Sequence, residues 1–143
     1  MSTATPAPGS NVVLDASAVL RALVEQQEEA VAWLRAAESG DVQARSPELV
    51  FVEVAHGLLR LVRAGRLDEL AAVRGAARLL AGRLRVEPLA PLALPALHVA
   101  RERRITVYDA CYAVLAERLA ATLVTADRRL ADATPNAVLL AED

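Results

Sequence analysis

Four acidic side chains stand where a carboxylate needs a reason. Asp15 closes NVVLDAS (11–17), an apolar run that ends in small residues and a hydroxyl. Glu53 interrupts LVFVEVAHGLLRLV (49–62), with apolar residues on both sides. Asp109 follows Thr106 by three residues, and Asp127 follows the run TLVT (122–125). Carboxylates brought together repel and raise one another's pKa, so a shared site needs a cation. An all-oxygen set suits Mg²⁺ or Mn²⁺. Zinc fits poorly, because His56 and His98 are the only histidines and do not form a ligand-spaced pair.

Each acid also has a purely structural reading. Asp15 can cap the turn or helix behind its strand. Glu53 can belong to an exposed stripe with Arg60 and Ala64, although buried carboxylates are rare unless paired or metal-bound. Gly57, one turn later, leaves room on the same face. Thr106 and Asp109 have the capping-box spacing, and a first-turn acid there can serve both cap and site. Asp127 can cap the short helix that follows it. The joint pattern favours the shared site: three acids follow strands or open helices at one edge of a sheet, and the fourth interrupts an apolar helix.

The elements that must position these groups alternate between strand and helix. A strand at 11–14 leads to Asp15, and Ser17 is expected to cap a helix reaching about residue 23. Helical spacing continues over 28–38, followed by a short strand at 42–45. Ser46-Pro47 reads as a helix start, with that helix running to Ala64 and stopping at Gly65. Further helices are expected at 68–81, 92–103, 106–119 and 128–131. Strands are expected at 84–87, 121–125 and 136–140. This alternation predicts an α/β fold with a central parallel sheet of about five strands. In such sheets ligands bind beyond the carboxyl ends of the strands, where Asp15 falls.

One domain accounts for the length: a loose tail over 1–10, then a single unit over 11–143. The tail has no basic residue and no apolar core, unlike a secretory signal. The longest uncharged apolar stretch, 88–100, contains three prolines and is too short to cross a bilayer. Cys111 is the single cysteine, reads as buried packing, and suits a cytoplasmic chain. The net charge of −2 argues mildly against non-specific nucleic-acid binding, an objection that weakens if the acids surround cations. Four aromatic residues leave little for a base-stacking platform. The arginines 101, 103, 104, 128 and 129 read as solvated faces unless they ring the acidic pocket.

Four segments resemble those of the PIN-domain ribonucleases, most closely the toxins of VapBC-type toxin–antitoxin pairs. They are VVLDASAVL (12–20), PELVFVEVAHGLL (47–59), VYDACYAVLAERL (107–119) and TLVTADRRL (122–130). The resemblance implies a PIN-like three-layer fold with strand order 3-2-1-4-5. It implies Asp15, Glu53, Asp109 and Asp127 as catalytic, metal-binding acids, supported by the hydroxyls of Ser17 and Thr125. It further implies an Mg²⁺- or Mn²⁺-dependent endoribonuclease acting on RNA, a small VapB-type antitoxin that places a basic residue in the acidic site, and a homodimer. Asp132 matches a further family acid only loosely and is left out of the set.

Two rival readings remain open. A receiver-like signalling domain also gathers carboxylates at strand ends, but it wants a lysine near the site, and all 16 basic residues here are arginine. A catalytically silent PIN-like binding module would keep the acids as caps.

Overall fold

The computed structural model describes residues 5–142. Residues 1–4 of the expected tail lie outside that range. Over 5–10 the chain turns at Gly9, whose positive φ suits glycine, and the Gly9 amide donates to the Asp41 carbonyl at 2.6 Å.

β1 (Asn11–Leu14) is the centre of the sheet, and three of its four residues are buried. Short apolar β-branched runs are stable in such a place because both faces lose water. β1 pairs in parallel with β2 (Gln43–Pro47) on one side and β4 (Thr122–Thr125) on the other. β3 (Arg85–Glu87) extends the sheet beyond β2, and β5 (Ala137–Leu139) extends it beyond β4. The all-parallel order is β3-β2-β1-β4-β5. The chain moves outward from β1 to β3, then crosses back to β4 on the other side. The order therefore reverses between β1 and β4, and the crevice at that switch point is where such sheets bind ligands.

Among the described residues, seven α-helices flank the sheet. α1 (Ala16–Leu20) runs into a π-helical turn at Arg21–Glu25, then α2 (Glu28–Ser39). α3 (Val50–Arg63) and α4 (Glu69–Ala81) connect β2 to β3, and α5 (Ala90–Arg103) and α6 (Val107–Arg118) connect β3 to β4. α7 (Arg128–Asp132) precedes β5. α6 packs on β1, β2 and β4 and is buried from Ala110 to Ala116, which fixes its first turn near the switch point. Pro95 lies inside α5, where it cannot donate to the Pro91 carbonyl; Arg118 Nη1 donates to that carbonyl instead, at 3.3 Å.

Three local expectations are corrected. Ser17 does not cap α1: Asp15 occupies the N-cap position and Ser17 lies in the first turn. Ser46 and Pro47 end β2 and do not open α3, which begins at Val50. The Ser46 hydroxyl donates to the Leu14 carbonyl at 2.6 Å, a neighbouring-strand bond that outweighed its capping propensity. Gly57 does provide room, but Leu20 fills it: a Cβ on Gly57 would collide with the Leu20 side chain, so the glycine lets α1 and α3 approach.

Candidate active site

Asp15, Glu53, Asp109 and Asp127 line one cleft of about 590 Å³ at the carboxyl end of the sheet. β1 and β4 bring Asp15 and Asp127 to the two sides of the switch point. α3 supplies Glu53 and α6 supplies Asp109, each from its first turn.

Asp15 is buried, and its Oδ2 accepts from the Ser17 hydroxyl at 2.5 Å and the Thr125 hydroxyl at 2.7 Å. Each hydroxyl is itself held by a backbone amide, Ser17 Oγ by Ala126 N–H at 2.9 Å and Thr125 Oγ1 by Asp127 N–H at 3.0 Å. A hydroxyl has one proton to give. With both protons committed to Asp15, the 3.2 Å approach of the two hydroxyl oxygens is a consequence of the shared acceptor. Burial pushes the Asp15 carboxyl up, the Ser17 and Thr125 hydroxyls and the Ala16 amide draw it back, and Asp127 pushes it up again.

On the other wall, the buried Tyr112 donates its hydroxyl to Glu53 Oε1 at 2.6 Å. Glu53 is half-buried and its carboxyl is raised, first by burial, with Tyr112 opposing and the charges of Asp15 and Asp109 adding. Asp109 donates its backbone amide to Thr106 Oγ1 at 3.0 Å, so the predicted cap forms, yet its side chain also lines the cleft. Its carboxyl is pushed up to about 6 by burial and then by Asp15 and Asp127, against Thr106 and Arg129. Asp127 caps α7, its Oδ1 accepting from Arg129 N–H at 2.9 Å and Leu130 N–H at 3.4 Å. The Asp127 cap and the Thr106 half of the capping box are both present, and both acids still face the cleft.

Among the described residues no ion pair involves any of the four acids; the pairs are Arg21–Glu25, Arg45–Glu87, Arg78–Glu38 and Arg103–Glu117. Nor are three or more His, Cys, Asp or Glu side chains drawn into a closed ligand group among those residues. The carboxylates line the cleft without converging on a point. Four carboxylates with two hydroxyls behind them, and no thiolate in the cleft, form a donor set that fits a hard divalent cation.

The stripe of Glu53 and Arg60 exists, but it faces the cleft, where His56 and Arg60 join the acids. The arginines read as solvated faces do not line the acidic cleft: Arg103, Arg128 and Arg129 border a separate groove, and Arg103 is held by Glu117 and the Ala133 carbonyl. The sequence marks Tyr112 only as a core-like residue, which its burial bears out, and gives no sign of its bond to Glu53, although its place three residues after Asp109 puts both on one side of a helix.

The PIN domain family matches residues 12–134. The chain belongs to the PIN-domain family. A curated relative, Ribonuclease VapC3 of Pyrobaculum aerophilum, is 34% identical over 131 residues, covering 87% of this chain and 95% of that protein. This PIN domain also resembles the crystal structure of PAE2754 from the same organism, with a TM-score of 0.73 and 32% identity over 91% of this chain and 90% of the other. VapBC2 from Rickettsia felis, solved bound to a promoter DNA fragment, shares the fold at a TM-score of 0.64 and 16% identity, over 91% of this chain and 97% of that one. The five-stranded parallel sheet and its strand order agree with the resemblance drawn from the four motifs. No described helix is long and apolar enough to cross a membrane.

Proposed function

We propose that this PIN domain is a divalent-metal-dependent endoribonuclease and the toxin of a toxin–antitoxin pair, with Asp15, Glu53, Asp109 and Asp127 as its catalytic and metal-binding residues. The observation that carries the reading is the cleft itself: four carboxylates from four separate parts of the chain repel one another there, and among the described residues no arginine is paired to any of them. The likeness to Ribonuclease VapC3 over nearly its whole length supports RNA as the substrate.

A bound Mg²⁺ or Mn²⁺ would let these carboxylates coexist, lower the pKa of water and neutralise charge on the phosphoryl group. The chain's own residues set the geometry. Ser17 and Thr125 hold Asp15 through Oδ2, Tyr112 holds Glu53 through Oε1, and the α7 amides hold Asp127 through Oδ1. Asp109 enters from the rigid first turn of α6. In the reaction proposed, water adds to phosphorus and the P–O3′ bond breaks. The departing 3′ oxygen takes a proton, leaving a 5′-phosphate and a 3′-hydroxyl.

A VapB-type antitoxin, placing a basic side chain in this cleft, and a homodimer complete the proposal, with the cytoplasm as its compartment. Solved neighbours include toxin–antitoxin complexes. The receiver-like alternative has no structural support, since the cleft holds no lysine. The capping bonds that the Asp127 carboxylate accepts favour the silent module as second reading. Incubating end-labelled RNA with the purified protein in Mg²⁺, Mn²⁺ or EDTA separates the two. Cleavage that needs the ion and leaves 5′-phosphate ends supports the nuclease; intact RNA under all three conditions supports the silent module.

A further inference from the structure

The cleft changes character along its length. α3 turns Val52, Glu53, His56 and Arg60 into it, so over about 12 Å of helix the wall passes from apolar to acidic to basic. Tyr108 lines the same cleft. It lies one turn before Tyr112 on α6, and residues four apart share a helix face. Tyr108 thus shares the cleft with Val52 and with Glu53, the acid that the Tyr112 hydroxyl holds.

Tyr108 is 67% exposed and Val52 is 72% exposed. Trp33 and Tyr112 are buried and Phe51 is partly so, which makes Tyr108 the one fully presented aromatic ring of the chain. Arg60 marks the opposite end, where it also borders an adjoining groove that carries Arg21 and Arg66 but neither Tyr108 nor Val52. An exposed ring and an exposed valine in one cleft with the acids leave apolar surface in water unless something covers it.

We propose that Tyr108, backed by Val52, is the stacking platform for one unpaired base of the RNA, while the adjoining backbone phosphate passes Arg60. The proposal rests on the nuclease reading and adds to it the residue that receives an unpaired base, Tyr108. A base inside a duplex is already stacked and cannot reach the ring. Stacking on an aromatic side chain tolerates any base, so the platform sets strandedness more than sequence.

The test is fluorescence anisotropy with a labelled single-stranded RNA oligonucleotide, the same strand in a duplex, and a copy carrying abasic riboses, all in Ca²⁺ to offset the acids. The wild type is expected to bind the single strand about tenfold more tightly than the abasic copy. Tyr108→Ala removes that difference, Tyr108→Phe keeps it, and neither changes duplex binding. Equal preference for the base-bearing strand in wild type and Tyr108→Ala, with RNA still bound and cleaved, overturns this inference alone. Absence of both binding and cleavage with every RNA overturns the nuclease reading with it. Sedimentation of the variants supplies the last check: if Tyr108→Ala alters self-association and the binding loss follows that change, Tyr108 is a subunit contact and the proposal fails.

Discussion

The two walls of the cleft hold their acids differently. On the strand wall, Asp15 is buried at the end of the central strand, and its position is fixed by two hydroxyls that are themselves fixed by two amides. On the helix wall, Glu53 and Asp109 are half-buried, with one phenol bond for the first and the Thr106 cap behind the second. A carboxylate locked by several donors is pre-organised, and one held by a single donor can adjust. On the proposed reading the strand wall sets where a ligand sits, and the helix wall, with the half-buried Asp109 raised to about 6, carries the accessible protonation change.

The largest break in that comparison comes from Asp15→Asn. It should reduce ion-dependent RNA cleavage by about 100-fold or more, beyond what the loss of an outer supporting group costs. Measured without metal, its melting temperature should equal or exceed that of the wild type, because a buried charge is removed while an amide oxygen still accepts the hydroxyls. Cleavage at the wild-type rate would remove Asp15 from the role assigned to it.

Next come the supporting groups, one from each wall. Thr125→Val deletes a donor to Asp15 and leaves the Asp127 amide without its acceptor, so turnover and metal affinity should fall by about 10- to 100-fold. Tyr112→Phe removes only the hydroxyl on Glu53 and should cost about tenfold. Paired assays over an Mn²⁺ titration check the order, and a larger loss in Tyr112→Phe would reverse the account of the two walls.

The pH effect is smaller and belongs to the helix wall. Asp109 is raised from 3.8 to about 6, so between those values the folded chain binds more protons than the unfolded one. Stability then falls as pH rises through that window and levels off above it. Glu53 and Asp15, also raised, act in the same direction. In EDTA the melting temperature should drop from pH 5 to pH 7.5, with a shallower slope in Asp109→Asn. A slope unchanged in that variant would show that Asp109 is not the group responsible.

Much of this arrangement was legible in the sequence because it depends on local pattern. The buried run before Asp15, the Thr106 cap and the alternation of strand and helix each declare themselves within a few residues. What stayed hidden depends on contacts between distant residues. Ser46 has the composition of a helix cap and the position of a strand end, and only the Leu14 carbonyl 32 residues away decides between them. Gly57 reads as room on the Glu53 face of its helix, and only the fold shows that Leu20 fills it. The Tyr112–Glu53 bond spans 59 residues, and no spacing rule forecasts it. The Glu53–Arg60 face was visible as a stripe, but whether it met solvent or the cleft depended on where α6 packs.

The central claim is that these four carboxylates hold a common divalent cation, and the position of Mn²⁺ in crystals soaked with it tests that most directly. An anomalous peak in the cleft, at bonding distance of roughly 2.0–2.2 Å from oxygens of Asp15 and at least one more of the four acids, is the predicted result. A cleft without a peak at saturating Mn²⁺, or an ion bound only at acids elsewhere on the surface, would contradict the account.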